Sequence, residues 1–179
     1  ASNRPRSRRF AGQLGDGWIP MAMPAPTYAK LLKDVEEGAR EAGRSPDQID
    51  KAIYTYTSIA GDRDTAYRAV EPVKHALVWL DLVEEAGYEL DIPEEYRSLH
   101  YTNVMPTDEE MKAKFRQLGT YIPREVVEDF IIVGTKDDCI RRFEEYINHV
   151  VEHFVLHDFS PDPEEAFRVL AQEVVPYFR

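Results

Sequence analysis

Cysteine is nearly missing from this chain. Its one example, Cys139, excludes an intrachain disulfide among 179 residues and fits a reducing compartment such as the cytoplasm. Cations are also short: 22 Lys and Arg against 33 Asp and Glu give a net charge of −11. Such a balance disfavours a nucleic-acid or anionic-membrane surface, because both demand clustered positive charge. Long apolar runs are lacking too. Residues 77–83 come nearest, but Asp81 interrupts them and Glu84 and Glu85 follow, far short of the roughly 20 apolar residues a membrane span needs. The opening Ala1-Ser2-Asn3-Arg4-Pro5 has charge with no apolar segment behind it, unlike a signal peptide. What remains, 43% apolar and 31% charged residues, is the balance of a globular domain with a real core.

The pattern along the chain alternates short strands with amphipathic helices. Residues 5–14 read as a helix with Phe10, Ala11 and Leu14 inward, broken by Gly15-Asp16-Gly17. Trp18-Ile19-Pro20-Met21 follows as a short buried strand, with Asp16-Gly17 as a tight turn into it and Trp18 in the core. A helix over 27–42 carries Tyr28, Leu31, Leu32, Val35, Ala39 and Ala42 at helical spacing, and Gly43 stops it. Residues 51–60 form the clearest strand: Ile53, Thr55, Thr57 and Ile59 alternate with Tyr54, Tyr56 and Ser58. Residues 62–64 then turn into a long helix expected to bury Ala66, Val70, Val73, Leu77 and Leu80.

Between about 87 and 130 the alternation lapses into an insertion. Tyr88, Tyr96 and Tyr101 make it too aromatic for a solvated linker, and Thr107-x-x-Glu110 reads as a capping box for a helix within it. Another short helix starts at Pro123. Phe130-Ile131-Ile132-Val133 leads to Thr135, which can cap a helix through about 151 with Cys139 on its apolar side. A strand over 153–158 and a helix over 163–178 end the chain, the latter with Ala166, Val169, Leu170 and Val174 inward.

This order implies parallel strands joined by right-handed crossovers. Only three strands are complete, near Gly17, Lys51 and His153, and the first helix has no strand before it. Three such strands would leave open edges. The chain is therefore read as a fragment or as part of an assembly.

Several ordered motifs carry a family resemblance. Ala1-Ser2-Asn3-Arg4-Pro5, Phe10-Ala11-Gly12, Gly15-Asp16-Gly17-Trp18-Ile19, Ala42-Gly43-Arg44-Ser45-Pro46, Ile132-Val133-Gly134-Thr135 and His153-Phe154-Val155-Leu156 span nearly the whole chain. None is specific alone, but in this order they resemble the luciferase-like oxidoreductases. The resemblance implies an α/β fold, the C-terminal half of a (β/α)8 TIM barrel running from the end of strand five to helix eight. The insertion at about 87–130 then precedes the last β/α unit within one partial domain over residues 1–179.

It also implies a cofactor, coenzyme F420 or alternatively FMN. The motifs sit closer to the deazaflavin branch, which includes methylenetetrahydromethanopterin reductases, sugar-phosphate dehydrogenases and ketoreductases. A sugar phosphate would need cations, yet Pro24 and Glu128 stand in the matching neighbourhoods, so an uncharged or pterin-like substrate fits better. The family's main proton-transfer groups and ring platform belong to earlier strands, so this piece alone is expected to be inactive.

Local chemistry supports a small set of candidates. Free N–H groups and the positive end of the first helix suit a phosphate, and Ser2, Asn3, Arg4 and Pro5 stand there. Relatives usually have two glycines where Asn3 and Arg4 stand, so the approach of a phosphate to the backbone differs here. Met21 and Met23, past the second strand, are expected in the wall of a substrate cavity, with Asp158 at the end of the last strand. His157, also at that strand end, is the one candidate proton donor or substrate contact, against a purely structural histidine. His149, His153 and His157 recur every four residues, but the first lies on a helix, so no metal site is expected.

The leading expectation is hydride transfer between the deazaflavin and an organic substrate, pterin-like or carbonyl. An FMN-dependent monooxygenase is the alternative within the family. A non-catalytic half-barrel acting through self-assembly is the alternative outside it. Expected partners are a small-molecule substrate and either a second copy or the missing N-terminal half, with no nucleic acid and no membrane.

Overall fold

The computed structural model describes residues 4–99, 104 and 106–178 of the chain. Helix α1 (Pro5–Leu14) leads to β1 (Gly17–Trp18), then α2 (Ala25–Glu41) to β2 (Asp50–Ile59). A helical stretch follows: α3 (Arg63–Val70), α4 (Lys74–Leu77), α5 (Leu80–Glu85), α6 (Glu94–Arg97), α7 (Glu109–Thr120) and α8 (Arg124–Phe130). The chain closes with β3 (Ile132–Gly134), α9 (Lys136–Asn148), β4 (His153–Asp158) and α10 (Pro163–Val169).

All strand pairs are parallel and all involve β2. Its first residues pair with β1 (Gly17 with Asp50), its last with β3 (Thr57 with Ile132), and its length with β4, from Ala52 opposite His153 to Thr57 opposite Asp158. Partners in register share a face, and successive residues alternate between faces. Phe154 packs edge-on against Phe143 and Tyr146 of α9. The residues 154, 156 and 158 therefore lie on the helix-packed face with Ile53, Thr55 and Thr57. Tyr54, Tyr56 and His157 share the opposite face.

The main core gathers Trp18, Tyr28, Ile53, Phe130, Ile132 and Tyr146 between sheet and helices. Trp18 lies 5.0 Å from Tyr28, ring to ring. Inside the insertion, Ile92, Leu99, Phe115 and Leu118 form a second small core. Tyr101 lies outside the described residues.

The structure corrects several local expectations. Helix α1 buries Arg8 and Gly12, while Phe10 and Leu14 are exposed. It docks on α2 through glycines: a Cβ at Gly12 would overlap the Val35 carbonyl and stand 2.7 Å from the Ala39 nitrogen. Arg8 is buried because its guanidinium holds the Asp34 carboxylate at 2.7 Å. The expected long helix after residue 62 is broken into pieces, with a 3-10 turn at Glu71–Val73. Pro72 removes a backbone donor and clashes with the preceding turn, which ends α3. Asp108, rather than Thr107, caps α7 by accepting the Met111 N–H. Thr135 caps α9 as expected, in a box with Asp138. α9 stops at Asn148, and the last helix gives way to a π turn at Leu170–Val174 and a 3-10 turn at Val175–Phe178.

Candidate functional site

The strand ends of β2 and β4 hold an ordered side-chain cluster. Tyr54 Oη lies 2.8 Å from His157 Nδ1, a diagonal contact between adjacent strands. The His157 ring stacks on Phe159 with centroids 4.8 Å apart and planes at 15°. Tyr56 sits 5.9 Å from both rings and edge-on to Tyr54. An imidazole is thus tied at one nitrogen and covered on one face, while its side chain remains exposed.

Asp158, one residue on, points to the other face. Its Oδ1 accepts hydrogen bonds from Thr57 Oγ1 at 3.1 Å and Ser160 Oγ at 2.6 Å. Ser160 Oγ in turn accepts the Ile59 N–H at 2.8 Å. This network ties the ends of two strands together, so the carboxylate is turned away from the His157 face. His157 and Asp158, adjacent in sequence, are separated by the sheet.

The methionines also divide. Met21 is half-buried against the main core. Met23 is fully buried, and its carbonyl accepts the Tyr146 hydroxyl at 2.7 Å. Met23 is thus a core residue, and the expectation that it lines a substrate cavity is corrected.

At the start of α1, Ser2 and Asn3 lie outside the described residues. Arg4 occupies the N-cap and Pro5 the first helical position, where its missing N–H costs nothing. The Arg4 N–H donates to Ser7 Oγ at 3.2 Å, and the Ser7 hydroxyl donates to the Arg4 carbonyl at 2.9 Å. No acidic residue stands in the first turn, so the helix end keeps its positive character. The Arg4 guanidinium meets Asp81 of α5 at 3.1 Å, Arg4 being largely solvated and Asp81 partly buried. An anion at this helix end would therefore compete with Asp81 for Arg4.

Two other features narrow the chemistry. Burial, with Asp138 and Asp158 nearby, pushes the Cys139 thiol up to about 12, so it stays protonated and is no nucleophile. An open groove beside α5 is lined by Glu84, Glu89 and Asp91 with Arg97 as its cation, a poor seat for a phosphate. Among the described residues no group of His, Cys, Asp or Glu is placed to hold a metal ion, and no helix is long and apolar enough to cross a membrane.

Tyr54, Phe159 and Ser160 were not singled out by sequence as partners of the strand-end pair. The signal was faint: Tyr54 lies 103 residues before His157, and only the register of β2 with β4 brings them together.

Parallel strands with helical crossovers and a polar cluster at the strand ends define a β/α fold of the kind that builds enzyme sites there. The model of the luciferase-like monooxygenase family matches residues 1–153, and the chain belongs to that family. It is 29% identical over 179 residues to the 5,10-methylenetetrahydromethanopterin reductase of Methanopyrus kandleri, covering 98% of this chain and 48% of that protein. It is 24% identical to the F420-dependent glucose-6-phosphate dehydrogenase of Microbacterium testaceum, over 98% of this chain and 46% of the other. The solved coenzyme F420-dependent tetrahydromethanopterin reductase of Methanopyrus kandleri superposes with a TM-score of 0.75 at 27% identity, covering 99% of this chain and 49% of that one. The chain thus spans about half the length of the relatives it matches.

Proposed function

We propose that this chain is the C-terminal half of a (β/α)8 barrel in a coenzyme F420-dependent oxidoreductase, acting on an uncharged or pterin-like organic substrate. The observation that carries this reading is the likeness to an F420-dependent reductase over 99% of the chain, with a TM-score of 0.75. When bound, the reduced deazaflavin supplies the hydride; the protein supplies position and charge.

The residues at the start of α1 fit the cofactor's phosphate end. The first turn lacks acids, Arg4 can offer charge-assisted bonds once Asp81 yields, and Ser2, Asn3 and Pro5 complete the assignment. Met21 is the better placed of the two methionines for the substrate wall. The half-barrel reading is supported by the ends of the sheet. Among the described residues β1 and β4 pair with β2 alone. Exposed large apolar residues stand at one end in Phe10, Leu14 and Ile19, and at the other in Leu156, Phe167 and Phe178. Closing a ring would cover both.

The test uses the protein encoded by the complete open reading frame. Titration with coenzyme F420 is expected to quench its fluorescence saturably, with weaker binding of FMN. Tighter FMN binding with oxygen-dependent turnover would overturn the deazaflavin reading in favour of the monooxygenase branch. Sizing the 179-residue chain adds a second check: a stable monomer that binds neither cofactor would count against both catalysis and self-assembly.

A further inference from the structure

We propose that His157 Nε2 is the proton donor to the substrate atom that gains negative charge when the hydride arrives, and that Tyr54 is the residue that positions it. The inference rests on the oxidoreductase reading above and adds a group on this chain to the proton-transfer groups that the family resemblance puts on earlier strands.

The geometry fixes which edge of the imidazole is available. Tyr54 Oη lies 2.8 Å from Nδ1, and we assign the phenol as the donor to Nδ1 in the neutral ring, which puts the ring proton on Nε2. In the imidazolium both nitrogens carry protons, with Nδ1–H donating to Tyr54 Oη. In either state Nε2 presents N–H. Among the described residues Nε2 makes no hydrogen bond, and the side chain is exposed. The Phe159 ring stacked at 4.8 Å stops the imidazole turning out of this orientation.

Position agrees with this role. His157 is the penultimate residue of β4, on the face opposite the one packed by α9, and strand C-terminal ends are where β/α barrels collect reacting groups. The groups facing it are few. β2 contributes Tyr54 and Tyr56, and β4 contributes His153 on the same face, paired with Asp50 at 3.1 Å. Asp158, the nearest carboxylate in sequence, is bound to Thr57 and Ser160 on the other side of the sheet.

For a carbonyl substrate the step balances as follows. With the reduced deazaflavin bound, the carbonyl carbon would receive a hydride, two electrons and a proton, and the cofactor would be left in its oxidised form. The C=O π pair moves to oxygen, which takes the Nε2 proton of the imidazolium. The ring is left for that moment with its one proton on Nδ1, facing Tyr54 Oη; solvent returns a proton to Nε2, and the resting neutral ring re-forms when the Nδ1 proton is released and the phenol again donates to Nδ1.

The experiment uses the protein encoded by the complete open reading frame, as wild type, Tyr54→Phe and His157→Gln. Nitrogen-15 NMR of the neutral His157 ring is expected to show the Nε2–H tautomer in the wild type and a mixture in Tyr54→Phe. His157→Gln is expected to lower kcat by about 10²- to 10⁴-fold, the usual worth of a positioned acid. Coenzyme F420 quenching should be unchanged in that variant. Tyr54→Phe should lower kcat by about tenfold at unchanged KM. An Nδ1–H tautomer in the wild type, or full kcat in His157→Gln, would overturn the assignment. If the wild type does not quench coenzyme F420, the cofactor reading falls by itself. The tautomer then decides the donor geometry: Nε2–H upholds it and Nδ1–H removes it.

Discussion

Gly43 and Val150 hold the same place in the same motif. Each follows a helix cap in the left-handed region, Gly43 with φ of 73° and Val150 with φ of 68°. After α2 the Arg44 N–H reaches the Ala39 carbonyl and the Gly43 N–H reaches that of Arg40. After α9 the Val151 N–H reaches Tyr146 and the Val150 N–H reaches Ile147. These are the paired bonds of a Schellman ending, which normally places glycine where Val150 stands. A β-branched residue there costs about 1–2 kcal/mol. Val150→Gly should therefore raise stability by about 1 kcal/mol, after the greater chain entropy glycine brings to the unfolded state. Thermal unfolding should show a rise of about 2–4 °C. A fall in midpoint would mean that the half-exposed Val150 side chain contributes more by packing than its backbone costs.

That pair also shows what sequence could and could not reveal. Gly43 announced the end of α2, whereas nothing at Val150 signalled a stop, and the helix was expected to run to Val151. Thr135 followed by Asp138 was legible because capping is local. The inward face of α1 was not. Hydrophobic periodicity points to Phe10 and Leu14, but the helix buries Gly12 and Arg8, since a glycine lets backbones touch and a paired arginine can be covered. The strand-end residues 157 and 158 were found from their position in the last strand. Their separation onto two faces follows from strand alternation, whereas the partners each meets there, Tyr54 and Thr57, depend on a register with residues 103 and 101 positions away.

The glycine contact between α1 and α2 predicts a steep penalty. A Cβ at Gly12 would overlap the Val35 carbonyl, and one at Gly38 would lie 2.8 Å from the Arg9 Cα. Both neighbours are backbone and cannot swing aside. Gly12→Ala and Gly38→Ala should each destabilise by about 3 kcal/mol, the upper part of the overpacking range, despite alanine's better helix propensity. Chemical denaturation measures this. A gain in stability from either variant would show that the helices separate freely.

Asp138 should make the start of α9 sensitive to acid. Burial pushes its carboxyl up, but the Thr135 hydroxyl and N–H outweigh that, helped by Arg63 and Arg141, and hold it below the usual range. A depressed carboxyl adds stability that is complete above the unfolded value of about 3.9 and fades as pH falls through the folded value. Asp138→Asn should cost about 1 kcal/mol at pH 7, as loss of a capping partner does, and less at pH 3. Unfolding at the two pH values reads the difference; an equal cost at both would show that the charge is immaterial.

Asp158 gives a prediction that separates structure from chemistry at the strand ends. Its Oδ1 is the shared acceptor for the Thr57 and Ser160 hydroxyls, and Oδ2 is buried without a hydrogen-bond partner among the described residues. Asp158→Ala leaves both hydroxyls without their acceptor and should cost about 2–3 kcal/mol, since bonds to a charged group are worth about 1.5–3 kcal/mol. Asp158→Asn keeps a carbonyl oxygen for them but puts an amide where Oδ2 has no partner, so it should cost about 1 kcal/mol. Urea midpoints with unchanged slopes measure both. Because the carboxylate lies on the helix side of the sheet, neither variant should alter the His157 tautomer set by Tyr54. A tautomer change in Asp158→Asn would mean that the two faces are coupled through the strand, and that the carboxylate helps to place the imidazole.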